Sequence, residues 1–319
     1  MQLSINPTYF CNFSCSHCYL GTANLQDKLK LDLSKLKLIL EDISNHTEIT
    51  HVDLYGGEIG LLPQEYLKEL ESTIEPFYQG VINIITNFSN IHPFFSQDNV
   101  EITVSYDYIY REHHQKVLSN IVKFEYPIHI IVLAIDDIIN NADKDIPIMH
   151  EMFSTLGNVR TVEIKPYSGN QYNQQSSTYL DYEEYIEKWL RLKGDYELVN
   201  RNKIEDCLEG ISSSYSDDHI YITPKGNISI LDFDDDNNNE LFLEVDNFQD
   251  YLSWCKKEKE KVINNNICNS CEFLGHCLSE HLKNVKSLEN SCNGFINLLS
   301  NYKGNFNEYD KSQKRFRSQ

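Results

Sequence analysis

Apolar residues along this chain fall into two periods that take turns. In Gln2 to Thr8, Ile49 to Tyr55, Val81 to Thr86, Val100 to Tyr106, Ile128 to Ile135 and Val159 to Lys165 they form short runs rich in Ile and Val, the pattern of buried strands. Leu33 to Asn45, Gln64 to Ile74, His114 to Phe124 and Ile146 to Leu156 repeat apolar residues at the three- and four-residue spacing of amphipathic helices, and Tyr182 to Leu192 supplies another. Strands that alternate with helices make a parallel sheet with right-handed crossovers. About six such units are too few for a closed eight-fold barrel. The expected fold is α/β, a partial (β/α)6 TIM-like barrel whose ligands sit at the carboxyl ends of the strands.

The alternation stops near residue 195. Beyond it, a hairpin is expected around Ile220 to Ile230, turning at Pro224-Lys225-Gly226-Asn227. Residues 232 to 240, "DFDDDNNNE", read as a solvated acidic loop. "YLSWCKKEKE" reads as an amphipathic helix. The expected division is a barrel over 1–195, a second unit over 196–300 and a tail over 301–319, with the basic stretch Lys311 to Ser318 as a solubility tail.

Composition narrows the setting. The 319 residues are 40% hydrophobic, ample for a packed core, and no run approaches the roughly 18 apolar residues of a membrane span. The N-terminus lacks the basic, apolar and cleavage regions of a signal peptide, so a cytoplasmic protein is expected. There, nine cysteines argue for metal or catalysis rather than disulfides. The formal charge of -20 argues against nucleic acid and allows a basic partner without identifying one.

Cys11, Cys15 and Cys18 follow the first strand at C-x3-C-x2-C spacing. Thiolate-rich sites select zinc or iron–sulfur. Structural zinc wants four ligands, and His17, beside Cys18, has difficulty turning onto the same metal. A [4Fe-4S] cubane on three thiols leaves one iron open to a small molecule, which marks a reactive site. Further motifs stand at strand ends: Gly56-Gly57-Glu58 after the second, Thr86-Asn87 after the third, "VSYD" at Val104 to Asp107 and "IKPYSG" at Ile164 to Gly169. A second set, Cys268, Cys271, Cys277 and Cys292, has spacing C-x2-C-x5-C-x14-C.

Together with Tyr19, which follows the third cysteine, these motifs resemble the radical S-adenosylmethionine (AdoMet) superfamily over the whole barrel half. The resemblance implies a [4Fe-4S] cluster on Cys11, Cys15 and Cys18 whose open iron chelates AdoMet. It implies that Gly56, Gly57 and Glu58 meet the cofactor's amino group, with Glu58 in a charge-assisted contact. Tyr19 would meet adenine, and Asn87 and Ser105 would supply further cofactor contacts. The chemistry implied is a 5'-deoxyadenosyl radical that abstracts hydrogen from a substrate.

The second cysteine set resembles the SPASM/twitch-like extension of that superfamily. Leu231 and His281 stand where that pattern has cysteines, so one auxiliary [4Fe-4S] cluster is expected on Cys268, Cys271, Cys277 and Cys292, with zinc as the alternative occupant. Cys207 and Cys255 remain. Each reads first as a buried small hydrophobe. Cys207 is also a candidate catalytic hydrogen donor or the surviving ligand of a reduced first auxiliary cluster, and the lysines beside Cys255 would lower its pKa were it exposed.

Enzymes with such an extension modify ribosomally made peptides or mature sulfatases. A peptide substrate is therefore expected, modified by oxidative crosslinking, thioether formation or epimerisation, with the oxidative outcome favoured. Dehydrogenation or rearrangement of a small molecule and a non-catalytic metal-cluster protein are the alternatives. The first strand lies within a few residues of Met1, which leaves a separate leader-binding protein as a possible partner, beside an electron donor of flavodoxin or ferredoxin type.

Overall fold

The computed structural model describes residues 1–167, 176–215, 217–231, 242–278 and 292–305. Gly169, the acidic stretch 232–240, His281 and the basic tail lie outside the described residues.

Six strands lie side by side in chain order: β1 (Gln2–Ile5), β2 (His51–Leu54), β3 (Ile82–Thr86), β4 (Val100–Ser105), β5 (Ile128–Ala134) and β6 (Val159–Pro166). Every neighbouring pair is parallel. The helices Leu33–Ser44, Gln64–Ile74, His114–Lys123 and Ala142–Thr155 return the chain between strands, and Tyr179–Leu190 follows β6. Only a short 3-10 turn, Pro93–Ser96, joins β3 to β4. This is the expected partial barrel.

The two faces of the sheet differ because alternate side chains point to opposite sides. Leu3, Ile5, Val52, Leu54, Ile84 and Val104 are fully buried on one face. They share a core with the helix stripes Leu36, Leu40 and Ile43, and Leu67, Leu70 and Ile74. The other face is polar, with Ser4, Asp53, Asn83 and Thr103 on successive strands. Caps fix where helices begin. Asp32 accepts from Ser34 N at 2.8 Å, and Thr178 forms a reciprocal capping box with Asp181. The fourth helix begins at Ala142, not Ile146, and carries Pro147 inside it.

The C-terminal region enlarges the same sheet. β7 (Glu197–Leu198) adds beside β6. β8 (His219–Ile222) pairs in parallel with β1, and β9 (Ile228–Leu231) and β10 (Phe242–Val245) follow in antiparallel order. The result is one ten-stranded sheet, β10-β9-β8-β1-β2-β3-β4-β5-β6-β7. The expected hairpin is present, and Gly226 turns it at φ +80, held by Gly226 N donating to Thr223 O at 2.9 Å. Hydrogen bonding thus runs across the position expected as a boundary. The last described helix, Ile296–Gly304, docks on Tyr179–Leu190, where buried Glu183 accepts from Asn297 N at 3.0 Å and Nδ2 at 2.7 Å. No helix among the described residues is long and apolar enough to cross a membrane.

Candidate active-site cavity

A cavity of about 290 Å³ opens at the carboxyl ends of the strands. Cys11, Cys15 and Cys18 stand on its wall, on the loop that leaves β1. That loop lies directly on the edge that ends β2: Gly57 N donates to Thr8 O at 2.8 Å, and Glu58 N to Phe10 O at 2.9 Å. A Cβ on Gly57 would stand 2.2 Å from Phe10 O, and one on Gly56, at φ +143, would stand 2.7 Å from Thr8 O. The two glycines line the cavity, and they are also what lets the cysteine loop seat on β2.

Glu58 follows the two glycines. It is buried and does not line the cavity. Its Oε1 accepts from Gly60 N at 2.8 Å and Thr86 Oγ1 at 2.5 Å, and its Oε2 accepts from Asn87 N at 2.7 Å. Burial pushes its carboxyl up, against these donors. The side chain bolts the end of β2 to the end of β3. Asn87 does face the cavity, where its Nδ2 donates to Asn12 Oδ1 at 3.0 Å and to Cys11 Sγ at 3.6 Å.

Tyr19 and Ser105 also line the cavity. The Tyr19 ring stacks on Tyr55 with centroids 5.6 Å apart, and Tyr55 meets Tyr221 edge-on at 6.4 Å.

A buried charged group completes the wall. Asp107 accepts from Arg111 Nη2 at 2.6 Å and Nε at 2.9 Å, from His17 Nε2 at 3.1 Å, and from Leu133 N at 2.8 Å. Burial alone would raise its carboxyl, but Arg111 and His17 override that and hold it down at about 2. Arg111 in turn reaches Cys15 Sγ with Nη1 at 3.9 Å. Arg111, Lys165 and Asp53 line the cavity and were not expected as site residues. Arg111 stands next to Glu112, Lys165 lies inside the "IKPYSG" stretch and Asp53 lies inside the second strand, and none of the three carries a motif of its own. The nearest signal is the four-residue step from Asp107, at the end of "VSYD", to Arg111.

Burial pushes Cys11 up to about 11 and raises Cys15 and Cys18, while the Phe13 N–H and the Arg111 guanidinium pull the other way. A metal group binding here must therefore displace thiol protons.

Cys268, Cys271, Cys277 and Cys292 all line a second, small cavity of about 30 Å³. Phe273 N donates to Cys271 Sγ at 3.4 Å, and Gly294 N donates to Cys292 Sγ at 3.2 Å. A Cβ on Gly294 would stand 2.8 Å from Cys277 Sγ. Among the described residues, no three His, Cys, Asp or Glu side chains converge on one metal ion. Cys207 lines neither cavity. It is buried on the helix Val199–Leu208, where burial pushes it up to about 11 and Ser212 Oγ donates to it at 3.3 Å. Cys255 is likewise buried, on the helix Phe248–Ile263, and burial pushes it up to about 11 rather than down.

No family model and no curated protein matches the chain. Solved structures do. anSMEcpe with bound AdoMet aligns at a TM-score of 0.67 over 97% of this chain and 98% of its own, with 15% identity. anSMEcpe with bound AdoMet and the Cp18Cys peptide aligns at 0.67 over 98% of each chain, also with 15% identity. Streptococcus suis SuiB bound to precursor peptide SuiA aligns at 0.63 over 91% of this chain and 73% of its own, with 14% identity. Identity this low carries fold alone, and the partial α/β barrel of this chain is the fold it shares with anSMEcpe and SuiB.

Proposed function

We propose that this chain is a radical AdoMet enzyme that modifies a ribosomally made peptide. The observation that carries the reading is the sharing of one cavity wall, at the ends of parallel strands, by three cysteine thiols, a glycine edge and Asn87. The residues fit the implied cofactors. The three thiols are partly buried, accept N–H groups and lie beside a guanidinium, an environment suited to an anionic iron–sulfur cluster. Cys11, Cys15 and Cys18 would hold that cluster. The edge at Gly56 and Gly57 would take the AdoMet amino group, Arg111 would pair with its carboxylate, and Tyr19, Asn87 and Ser105 would bound the rest. When bound, the pair supplies an electron and a hydrogen-abstracting radical.

The protein's own part is to orient and to exclude water. Asp107 holds the Arg111 guanidinium by two nitrogens, so the cation is fixed before a ligand arrives. Glu58 holds the Asn87 backbone. Tyr19, Tyr55 and Tyr221 wall the β8–β1–β2 side with aromatic surface.

The peptide as substrate draws support from the fold shared with SuiB bound to SuiA and with anSMEcpe bound to a peptide. We read the C-terminal cysteines as the seat of an auxiliary [4Fe-4S] cluster that accepts an electron, which favours an oxidative modification. Anaerobically reconstituted, reduced protein should convert AdoMet to 5'-deoxyadenosine, measured by liquid chromatography. The variant with Cys11, Cys15 and Cys18 all replaced by Ala should not, while keeping iron at the C-terminal site. Equal turnover by that variant would overturn the proposal, and no turnover by the wild type would favour a non-catalytic cluster protein.

A further inference from the structure

The cavity wall is electrically divided. Its β8–β1–β2 side carries Asp53, Ser4, His219 and the tyrosines, whereas Arg111 follows β4 and Lys165 ends β6. Four strand spacings separate β2 from β6, about 19 Å along the curved sheet. Ser4, Asp53 and Tyr221 stand in one register layer, a single residue below the ends of β1 and β2.

Asp53 is anchored by one oxygen only. Its Oδ1 accepts from Asn83 Nδ2 at 2.7 Å and pairs with His51 Nε2 at 2.9 Å. Asn83 Oδ1 accepts in turn from Thr103 Oγ1 at 2.7 Å, so the amide cannot swing away freely. Asp53 Oδ2 accepts no hydrogen bond from any described residue. Burial works to raise this carboxyl, but His51, Asn83 and the nearby His219 hold it below its ordinary value, so it is charged at neutral pH. His219 is itself fixed, with Nε2 2.8 Å from Ser4 Oγ and its ring stacked on Tyr221 at 4.7 Å.

We propose that this side of the cavity is the subsite for a lysine or arginine side chain of the substrate peptide, with Asp53 as its recognition group. The inference rests on the peptide-modifying reading above and deepens it. A long basic side chain matches both parts of the wall. Its apolar stem lies along Tyr55 and Tyr221, and its cationic head meets Asp53 Oδ2 and the tyrosine faces. An apolar side chain would leave Oδ2 dehydrated without a partner, and an acidic one would meet like charge. The formal charge of -20 draws basic peptides toward the protein as a whole.

The test uses the full chain and three small probes: N-acetyl-lysine methylamide and its norleucine and glutamate counterparts. Saturation-transfer NMR at physiological salt reads binding without any need for a loaded cluster. The lysine probe should bind about tenfold or more tightly than the norleucine probe, the value of one charge-assisted hydrogen bond. In Asp53→Asn that ratio should fall to near one. Tyr221→Leu should weaken the lysine and norleucine probes together. Equal binding of lysine and norleucine by the wild type overturns the inference, and needs no variant to fold. A ratio that survives Asp53→Asn overturns it too, as does a variant in which AdoMet affinity falls while the probe ratio stays, since Asp53 would then serve the cofactor. Failure of the wild type to cleave AdoMet is read separately and counts against the proposed function.

Discussion

Asp107 offers the sharpest test of how the cavity is preorganised. Its carboxylate is fully buried, and it carries two contacts to Arg111, one to His17 and one to Leu133 N. The gap between its ordinary value of 3.8 and about 2 corresponds to roughly 2.5 kcal/mol in favour of the ionised form. Replacement by Asn keeps an acceptor for Leu133 N but leaves the Arg111 guanidinium buried without its counter-charge, a change that typically costs about 3–5 kcal/mol. Asp107→Asn should therefore lower unfolding free energy by about 3 kcal/mol in anaerobic urea titrations. Asp107→Asn and Arg111→Gln combined should cost less than the sum of the two by about 2 kcal/mol, because the second change removes a charge already orphaned. The sign with pH follows from a folded-state value below the ordinary one. Stability from this group is present above about pH 4 and is lost as pH falls toward 2, and Asp107→Asn should remove that part of the acid slope. A cost under about 1 kcal/mol, or strict additivity of the pair, would refute the reasoning.

Four further outcomes are expected. Glu58→Gln turns an amide N–H toward one of three donors and should cost about 2 kcal/mol in the same titration. Because burial raises the Glu58 carboxyl, its contribution is greatest in acid and fades as pH climbs past 4.5, so the wild type should show a decline there that the variant lacks. Gly57→Ala drives a methyl into Phe10 O and should abolish iron retention at the first site, read as iron per chain after desalting. Fully loaded protein should hold about eight irons, halved by Cys268→Ala or Cys271→Ala, whereas about four irons with one zinc would assign zinc to the C-terminal set. Cys207→Ala should destabilise by about 1 kcal/mol while product, measured by mass spectrometry, is unchanged; loss of product with AdoMet cleavage intact would restore it as a hydrogen donor.

The barrel was legible because its strands and helices differ in period, and because Cys11, Cys15, Cys18 and the Gly56-Gly57 pair are unusual residues at unusual spacing. Long-range pairing was not. The hairpin at Ile220 to Ile230 announces itself by its turn, yet nothing local tells that β8 joins β1, 217 positions earlier in register. Side-chain direction was equally hidden. Glu58 reads as a ligand group by motif, and only the positions of Thr86 and Asn87 on the neighbouring strand turn it inward. Arg111, Lys165 and Asp53 are ordinary surface-type residues until the sheet curves them onto one wall. Helix packing buries both Cys207 and Cys255, a placement that spacing alone does not announce.

The pairing of β1 with β8 also sets an order of events at the ribosome. β1 can meet β2 soon after both emerge, but its other edge waits for residues 219–222. At about 5–20 residues per second, that delay is roughly ten to forty seconds. Throughout it the cysteine loop is already made, while Tyr221 and His219, which wall one side of its cavity, do not yet exist. A nascent chain arrested before residue 219 would therefore carry Cys11, Cys15 and Cys18 on a cavity wall still missing its β8 side.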